Sequence, residues 1–176
     1  TNVESIKKPF LQNSFGEKTG NLYEGTLTDF HPKTIAKIEV KNNQETNDLN
    51  DIARLIDLLS AEGELDVDQL GQIVNLDHFM RYWVIEGMIR FWDGYSANQN
   101  NFYVYVNPVD GLGYFIPWGA DSTLGDGGPF ARFSQQGHTA VYAQSILANR
   151  LYKSDGVPER YRKTMLGLLD QIWDEN

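Results

Sequence analysis

The stretch NFYVYVNPVDGLGYFIPW, residues 101–118, constrains this chain more than any other. Two runs of aromatic and β-branched residues, NFYVYV and LGYFIPW, flank NPVDG at 107–111. Asn, Pro, Asp and Gly are turn residues, so the pattern predicts an antiparallel hairpin. With the turn centred near Val109, opposed residues sum to about 218, which sets Asn101 roughly across from Pro117. The chain entering the first strand and the chain leaving the second then lie at the same end. Asp93, Asn101 and Asp121 are therefore predicted to be close in space.

The approach to the hairpin is polar. In FWDGYSANQNN (91–101) a carboxylate and three asparagines, Asp93, Asn98, Asn100 and Asn101, separate a hydrophobic helix from a hydrophobic strand. Beyond the hairpin runs GADSTLGDGGPFARFSQQGHT (119–139), a Gly-rich polar loop of a length that compact domains mostly reserve for function. Two carboxylates and an amide carbonyl beside such a loop suit a hard cation that keeps water and phosphate in its shell. Phosphoryl transfer uses the same groups, with one Asp on the acceptor hydroxyl and Asn plus Asp on Mg²⁺. The same residues also read as an ordinary helix-to-hairpin connection, because Asp-Gly turns and Asn-rich loops are common. The residues alone leave both readings open.

The remaining chain supports a folded domain. Its 176 residues are 41% hydrophobic and 12% aromatic, enough for a substantial core. A net charge of −9 argues against a nucleic-acid-binding face. With no cysteine, disulfides, thiolate metal sites and thiol nucleophiles are excluded. No apolar run reaches the length of a membrane span, and no signal peptide is recognisable. The opening TNVESIKKPFL lacks an initiator Met and reads as a piece of something longer.

Periodicity places the other elements. NLYEGTLTDF suggests a brief strand and turn, and TIAKIEV (34–40) alternates as a strand does. After Asp48, a plausible N-cap, Leu49, Ile52, Leu55, Ile56 and Leu59 share one helical face. VDQLGQIV suggests a shorter helix. NLDHFMRYWVIEGMIRFW (75–92) can be capped by Asn75 and is apolar nearly all round, which predicts a helix buried on most sides. Two helices close the chain, about 140–152 and 158–174, with Pro158 in the first turn of the second.

Other chemistries find little support. Gly20 and Gly25 lack the Lys-Ser/Thr of a phosphate loop. His31, His78 and His138 lack metal-ligand spacing, and His78 reads as a core or capping residue. Ser96, Ser122 and Ser134 lack a nucleophile-elbow context. DSTLGDGG lacks the terminal Glu of an EF-hand loop. Trp83, Trp92 and Trp173 read as core, whereas Trp118 sits beside the proposed site.

WDGYSANQNNFYVY, the Gly-containing turn, GYFIPWGAD, LANRLYKSDGVPERYRKTMLGLL and VESIKKPFLQNSFGEKTGNLYEG together resemble the CotH family of atypical protein kinases. The resemblance covers almost the whole chain. It implies an α+β fold: a mostly helical, protein-kinase-like C-terminal lobe with a catalytic β-hairpin, one domain over 1–176. It implies transfer of the ATP γ-phosphoryl group to Ser or Thr of a secreted or coat protein, with Mg²⁺ or Mn²⁺, at an extracellular, cell-surface or spore-surface location. By the resemblance the catalytic Asp falls on Asp93 and the metal-binding Asn on Asn101, which immediately precedes the aromatic strand. Asn98, five residues after Asp93, competes for that role, and Asn98, Trp118 and Arg132 are candidates for contacts to nucleotide or substrate. The family pattern Pro-Trp-Asp-x-Asp reads Pro117-Trp118-Gly119-Ala120-Asp121 here, so a glycine replaces the expected metal-binding acid. Asp121, on the same side of an extended segment, is its nearest substitute. The family's N-terminal nucleotide lobe is missing from this chain, so the isolated piece is expected to be inactive. The alternative is a pseudokinase or adhesion module that binds protein or glycan.

Overall fold

The computed structural model describes residues 4–121, 123, 124 and 140–172. The predicted hairpin is formed by β3 (Phe102–Val106) and β4 (Gly113–Pro117). Its register pairs Phe102 with Pro117 and Tyr105 with Tyr114, one residue from the predicted alignment. The turn is the reason. Asn107 N–H donates to Leu112 O at 3.0 Å, and Gly111 closes the turn at φ +73°, a left-handed conformation that glycine adopts without a Cβ clash. Asn101 therefore stands opposite Trp118, whose N–H donates to the Asn101 carbonyl at 3.0 Å.

β1 (Asn21–Gly25) pairs with the other side of β3, and β2 (Glu39–Asn42) pairs with β1, giving an antiparallel sheet in the order β2-β1-β3-β4. The strand predicted over 34–40 starts only at Glu39. Residues Ile35–Lys37 form a 3₁₀ turn, because Thr34 and Ile35 both donate backbone N–H to His31 O. Local hydrogen bonding here overrides the alternating pattern.

Successive residues of a strand face opposite ways, and the two faces of this sheet meet different partners. Tyr23, Phe102, Val104 and Phe115 join the main core. That core also takes in α2 (Asn50–Ser60), α3 (Val67–Leu70), α4 (Leu76–Met88), α6 (Ile146–Tyr152) and α7 (Val157–Ile172). Leu22, Tyr103, Tyr105 and Ile116 face a smaller cluster under α1 (Lys8–Phe15). α1 is not among the elements periodicity predicts, although Pro9 near its start and Gly16 after its end, at φ +72°, are standard helix punctuation.

α4 carries the molecule. Asn75 accepts the His78 N–H at 3.0 Å, as predicted for its cap, and Trp83 and Val84 are fully buried. The helix stops at Met88, short of the predicted Trp92. Arg90 N–H bonds to Gly87 O and Phe91 N–H to Glu86 O, a Schellman closure with Arg90 left-handed at φ +53°. α2 buries its predicted stripe, but Leu49 rather than Asp48 occupies the N-cap position. α6 begins at Ile146, not near 140, because carbonyls of the preceding segment serve tertiary contacts. Tyr161 donates to Ala140 O, and Trp83 Nε1 donates to Tyr142 O. Among the described residues no helix is long and apolar enough to cross a membrane.

Candidate active site

Asp93 lies just past the end of α4, followed by α5 (Tyr95–Asn98) and the start of β3. Its carboxylate is ringed by amides. Asn98 Nδ2 donates to Oδ1 at 2.7 Å and Asn100 Nδ2 to the same oxygen at 3.1 Å. Asn101 Nδ2 donates to Oδ2 at 2.8 Å and to the Asp93 carbonyl at 3.1 Å. The polar run singled out in the sequence thus folds around one acid. Both asparagines proposed as metal ligands contact it, and Asn100 makes a third partner.

The loop holds this shape under strain. Gln99 and Asn101 are left-handed, at φ +50° and +51°, a conformation that costs about 1–3 kcal/mol for residues with a Cβ and persists where surroundings impose it. Those surroundings come from the segment after β1. Thr28 N–H donates to Gln99 O at 2.9 Å, and Leu27 N–H to Asn100 Oδ1 at 3.0 Å.

A buried acid that sequence analysis missed fixes the loop from below. Glu86, on α4, accepts the backbone N–H groups of Tyr95 and Ser96, each at 2.9 Å, and the Ser96 hydroxyl. The first turn of α5 is thereby satisfied by a side chain from another helix. Gly94 is required by this approach, since a Cβ there would lie 2.2 Å from Glu86 Oε1. Burial raises the pKa of Glu86, and the bonds donated by Ser96 and Tyr95 pull against it. Burial first, then the Glu86 charge, push the Tyr82 phenol well above its ordinary pKa. Its hydroxyl stands beside that carboxylate but off the geometry of a hydrogen bond. The available signal was a lone Glu on a helix otherwise apolar nearly all round, eight residues before a glycine.

Asp29 does similar work on the far side of α5. It accepts Tyr95 OH at 3.0 Å and Ile146 N–H, at the start of α6, at 2.7 Å, and burial raises its pKa.

At the hairpin's other end, Gly119 sits against Asn101: a Cβ on it would lie 3.4 Å from Asn101 Cγ and Oδ1. The position where the family pattern has an acid therefore adjoins the asparagine proposed to hold metal. Gly119 is left-handed at φ +59° and residues 120–121 form a turn, so the extended geometry expected for Asp121 is absent. Asp121 is exposed, and no hydrogen bond joins it to Asp93 or Asn101. Trp118 packs edge-on against Tyr103, on the α1 side of the sheet, at 6.0 Å between ring centroids. Arg132, with His138, Ser122, Ser134 and Trp173, lies outside the described residues. His78 is half-buried against Phe15 and Tyr114 rather than in the core, and burial lowers its pKa.

Among the described residues no three His, Cys, Asp or Glu side chains cluster as a ready-made metal site. Mg²⁺ asks for less than such a cluster, taking one or two carboxylates and keeping water and phosphate for the rest. Asn101 Oδ1, on the Gly119 side, and the Asp121 carboxylate are the oxygens that could contribute.

The sequence pattern of the CotH family, described as CotH kinase protein, matches residues 1–176. The chain is 25% identical over 171 residues to Invasin CotH3 of Rhizopus delemar, covering 88% of this chain and 28% of that protein. It is 24% identical over 183 residues to Spore coat protein homolog 1 of the same organism, covering 96% and 29%. Invasin CotH2 is 29% identical over 90 residues, covering 47% and 15%. The chain thus spans less than a third of the length of these curated relatives.

Proposed function

The chain belongs to the CotH family, and from that premise we propose that it forms the C-terminal part of a protein kinase centre. The centre transfers the ATP γ-phosphoryl group to a Ser or Thr hydroxyl of a protein. The observation that carries this reading is the Asp93 carboxylate held by Asn98, Asn100 and Asn101. Among the described residues Asp93 Oδ2 accepts one side-chain bond where Oδ1 accepts two, so Oδ2 is the oxygen left to take the acceptor hydroxyl's hydrogen bond and then its proton. Asn101 Oδ1 and Asp121 are the residues that would hold Mg²⁺ or Mn²⁺. The ion, when bound, neutralises charge on the transferring phosphate. Asn98 and Asn100 fix the orientation of Asp93. A nucleotide-clamping lobe from a longer parent supplies the remaining contacts. The relatives named as invasins and a spore coat homologue support a cell- or spore-surface location.

One observation favours a second reading, a pseudokinase or adhesion module for protein or glycan. Gly119 offers no carboxylate beside Asn101.

Calorimetric titration of the full-length parent with ATP and Mg²⁺ separates the two. Under the kinase reading, Asn101→Ala weakens metal-dependent nucleotide binding by about tenfold or more. Asp93→Ala leaves nucleotide binding in place and lowers phosphoryl transfer by about 100-fold or more. A parent that binds no nucleotide overturns the kinase reading. Binding indifferent to both Asn101→Ala and Asp121→Ala overturns the metal assignment. Higher transfer in Gly119→Asp identifies the missing acid as the limiting feature.

A further inference from the structure

α5 is a single turn with Gly94 at its N-cap, so it has no side chain of its own to satisfy its first N–H groups. The acceptor comes from another helix. Glu86 Oε1 takes the Tyr95 N–H and Oε2 the Ser96 N–H, each at 2.9 Å, and Oε2 also takes the Ser96 hydroxyl. Three donors converge on two oxygens, which suits a carboxylate and leaves no place for a donor on residue 86 itself. Burying such a group is unfavourable, and a Ser, Thr, Asp or Asn at position 94 would cap the same turn from within it. What Glu86 adds is direction. It ties the turn to the buried side of α4, whereas a local cap moves with the turn it caps.

Other contacts hold the rest of the loop, and they act on different residues. Thr28 N–H holds Gln99 O, Leu27 N–H holds Asn100 Oδ1, and Trp118 N–H holds Asn101 O. Asn100 and Asn101 are therefore placed by the segment after β1 and by the end of β4. On the α6 side, Gln144 N–H donates to Ser96 O at 2.9 Å and Asp29 takes the Tyr95 hydroxyl. Glu86 takes the remaining end of α5, at the Tyr95 N–H, two residues from Asp93. Asp93 and Asn98 meet across this turn: Asn98 N–H donates to Gly94 O at 2.9 Å, and Asn98 Nδ2 reaches Asp93 Oδ1 at 2.7 Å.

We infer that Glu86 is a positioning residue for phosphoryl transfer, aiming the Asp93 carboxylate at the acceptor hydroxyl through the first turn of α5. The inference rests on the kinase reading above and adds to it the residue that directs its base. Glu86, buried, acts through α5 rather than on the substrate. Because Asn101 is held from β4, loosening Glu86 disturbs Asp93 and Asn98 and leaves the metal-side amide in place. Its signature is lower turnover with nucleotide binding retained.

The test uses the full-length parent with ATP, Mg²⁺ and the Ser- or Thr-containing peptide that the wild type phosphorylates best in a peptide array. Glu86→Gln keeps the side chain's size but turns one acceptor into a donor facing other donors. It should lower kcat by about tenfold or more and leave KM for ATP within about twofold. Gly94→Ala disturbs the same contact from the other side, since a Cβ there would lie 2.2 Å from Glu86 Oε1. The double variant should lose no more than the worse single one, as two changes at one contact do. Where Gly94→Ala fails to fold, Glu86→Gln decides alone. Hydrogen exchange read by mass spectrometry needs no turnover: in Glu86→Gln, peptides over 94–99 should exchange about tenfold faster while those over β3 keep their rate. Unchanged kcat, or a rise in KM for ATP that matches the fall in kcat, overturns the positioning role and leaves the kinase reading standing. Exchange that quickens over β3 as much as over 94–99 does the same, making Glu86 a support of the fold alone. A wild-type parent that phosphorylates no peptide in the array overturns the kinase reading, and the positioning role falls with it.

Discussion

Glu86 is 2% exposed, buried against the N-terminal turn of α5 rather than against a cation. Removing a carboxylate from water favours its protonated form, and burial raises its pKa above the ordinary 4.5. A raised folded-state value means that the native chain binds more protons than the unfolded one between 4.5 and that value. The contribution of Glu86 to stability is therefore fully present below about 4.5 and is lost as pH rises through the raised pKa. In urea titrations from ~pH 4 to ~pH 7, the wild-type midpoint should fall relative to that of Glu86→Gln, which cannot titrate. Asp29, raised for the same reason, leaves the variant a residual slope of the same sign. Parallel pH profiles for the two proteins would remove Glu86 as the buried titrating acid.

At the scale of elements, α4 sets both ends of the candidate site. Its N-terminal side ties to β4 through Asn75, whose N–H donates to Gly113 O at 3.0 Å and whose Nδ2 reaches the Tyr114 hydroxyl at 3.1 Å. Its C-terminal turn presents Glu86 to α5 and delivers the chain to Asp93 through a left-handed Arg90. Asn75→Ala removes the cap to His78 N–H and the Tyr114 bond together. It should destabilise the fold by about 1–2 kcal/mol, read as a lower urea midpoint at unchanged m-value. A loss well under ~0.5 kcal/mol would mean that water replaces the cap without penalty. Hairpin register depends on a different kind of signal. NPVDG announced the turn, but the closing pair was settled by Gly111 at φ +73°, a half-turn detail that moved Asn101 opposite Trp118.

Across the whole molecule, Asp29 joins the segment after β1 to α5 through Tyr95 and to α6 through Ile146. α7 reaches the centre of α4 through the Trp83–Tyr161 ring contact, at 4.7 Å between centroids, and α6 through Trp83–Tyr152, at 6.0 Å. Asp29→Ala leaves the Ile146 N–H and the Tyr95 hydroxyl without their acceptor. It should cost about 2–3 kcal/mol of global stability. In hydrogen exchange, the Ile146 and Phe30 amides should lose protection ahead of β3. Loss of protection spread evenly over all elements would show that Asp29 acts only through overall stability.

The hairpin, the α2 stripe, the buried α4 and the polar run around Asp93 were legible in the sequence because each is dictated by neighbours a few residues apart. Turn chemistry at 107–111 and a 3.6-residue apolar period need no distant partner. α1 is equally local in origin, punctuated by Pro9 at its start and Gly16 after its end. The rest was decided by tertiary structure, since it depends on groups that meet only after the layers pack. Glu86 became the anchor of α5 because α4 brings it under Gly94. The amide ring closed on Asp93 because the Leu27–Thr28 backbone holds Gln99 and Asn100 in place. Gly119 turned left-handed at the end of β4, which took Asp121 out of the extended line that alternation had assigned to it. Periodicity fixes which face a side chain shares with its neighbours along one element. Hydrogen bonds between elements choose the backbone conformation of the loops, and those loops hold the candidate chemistry.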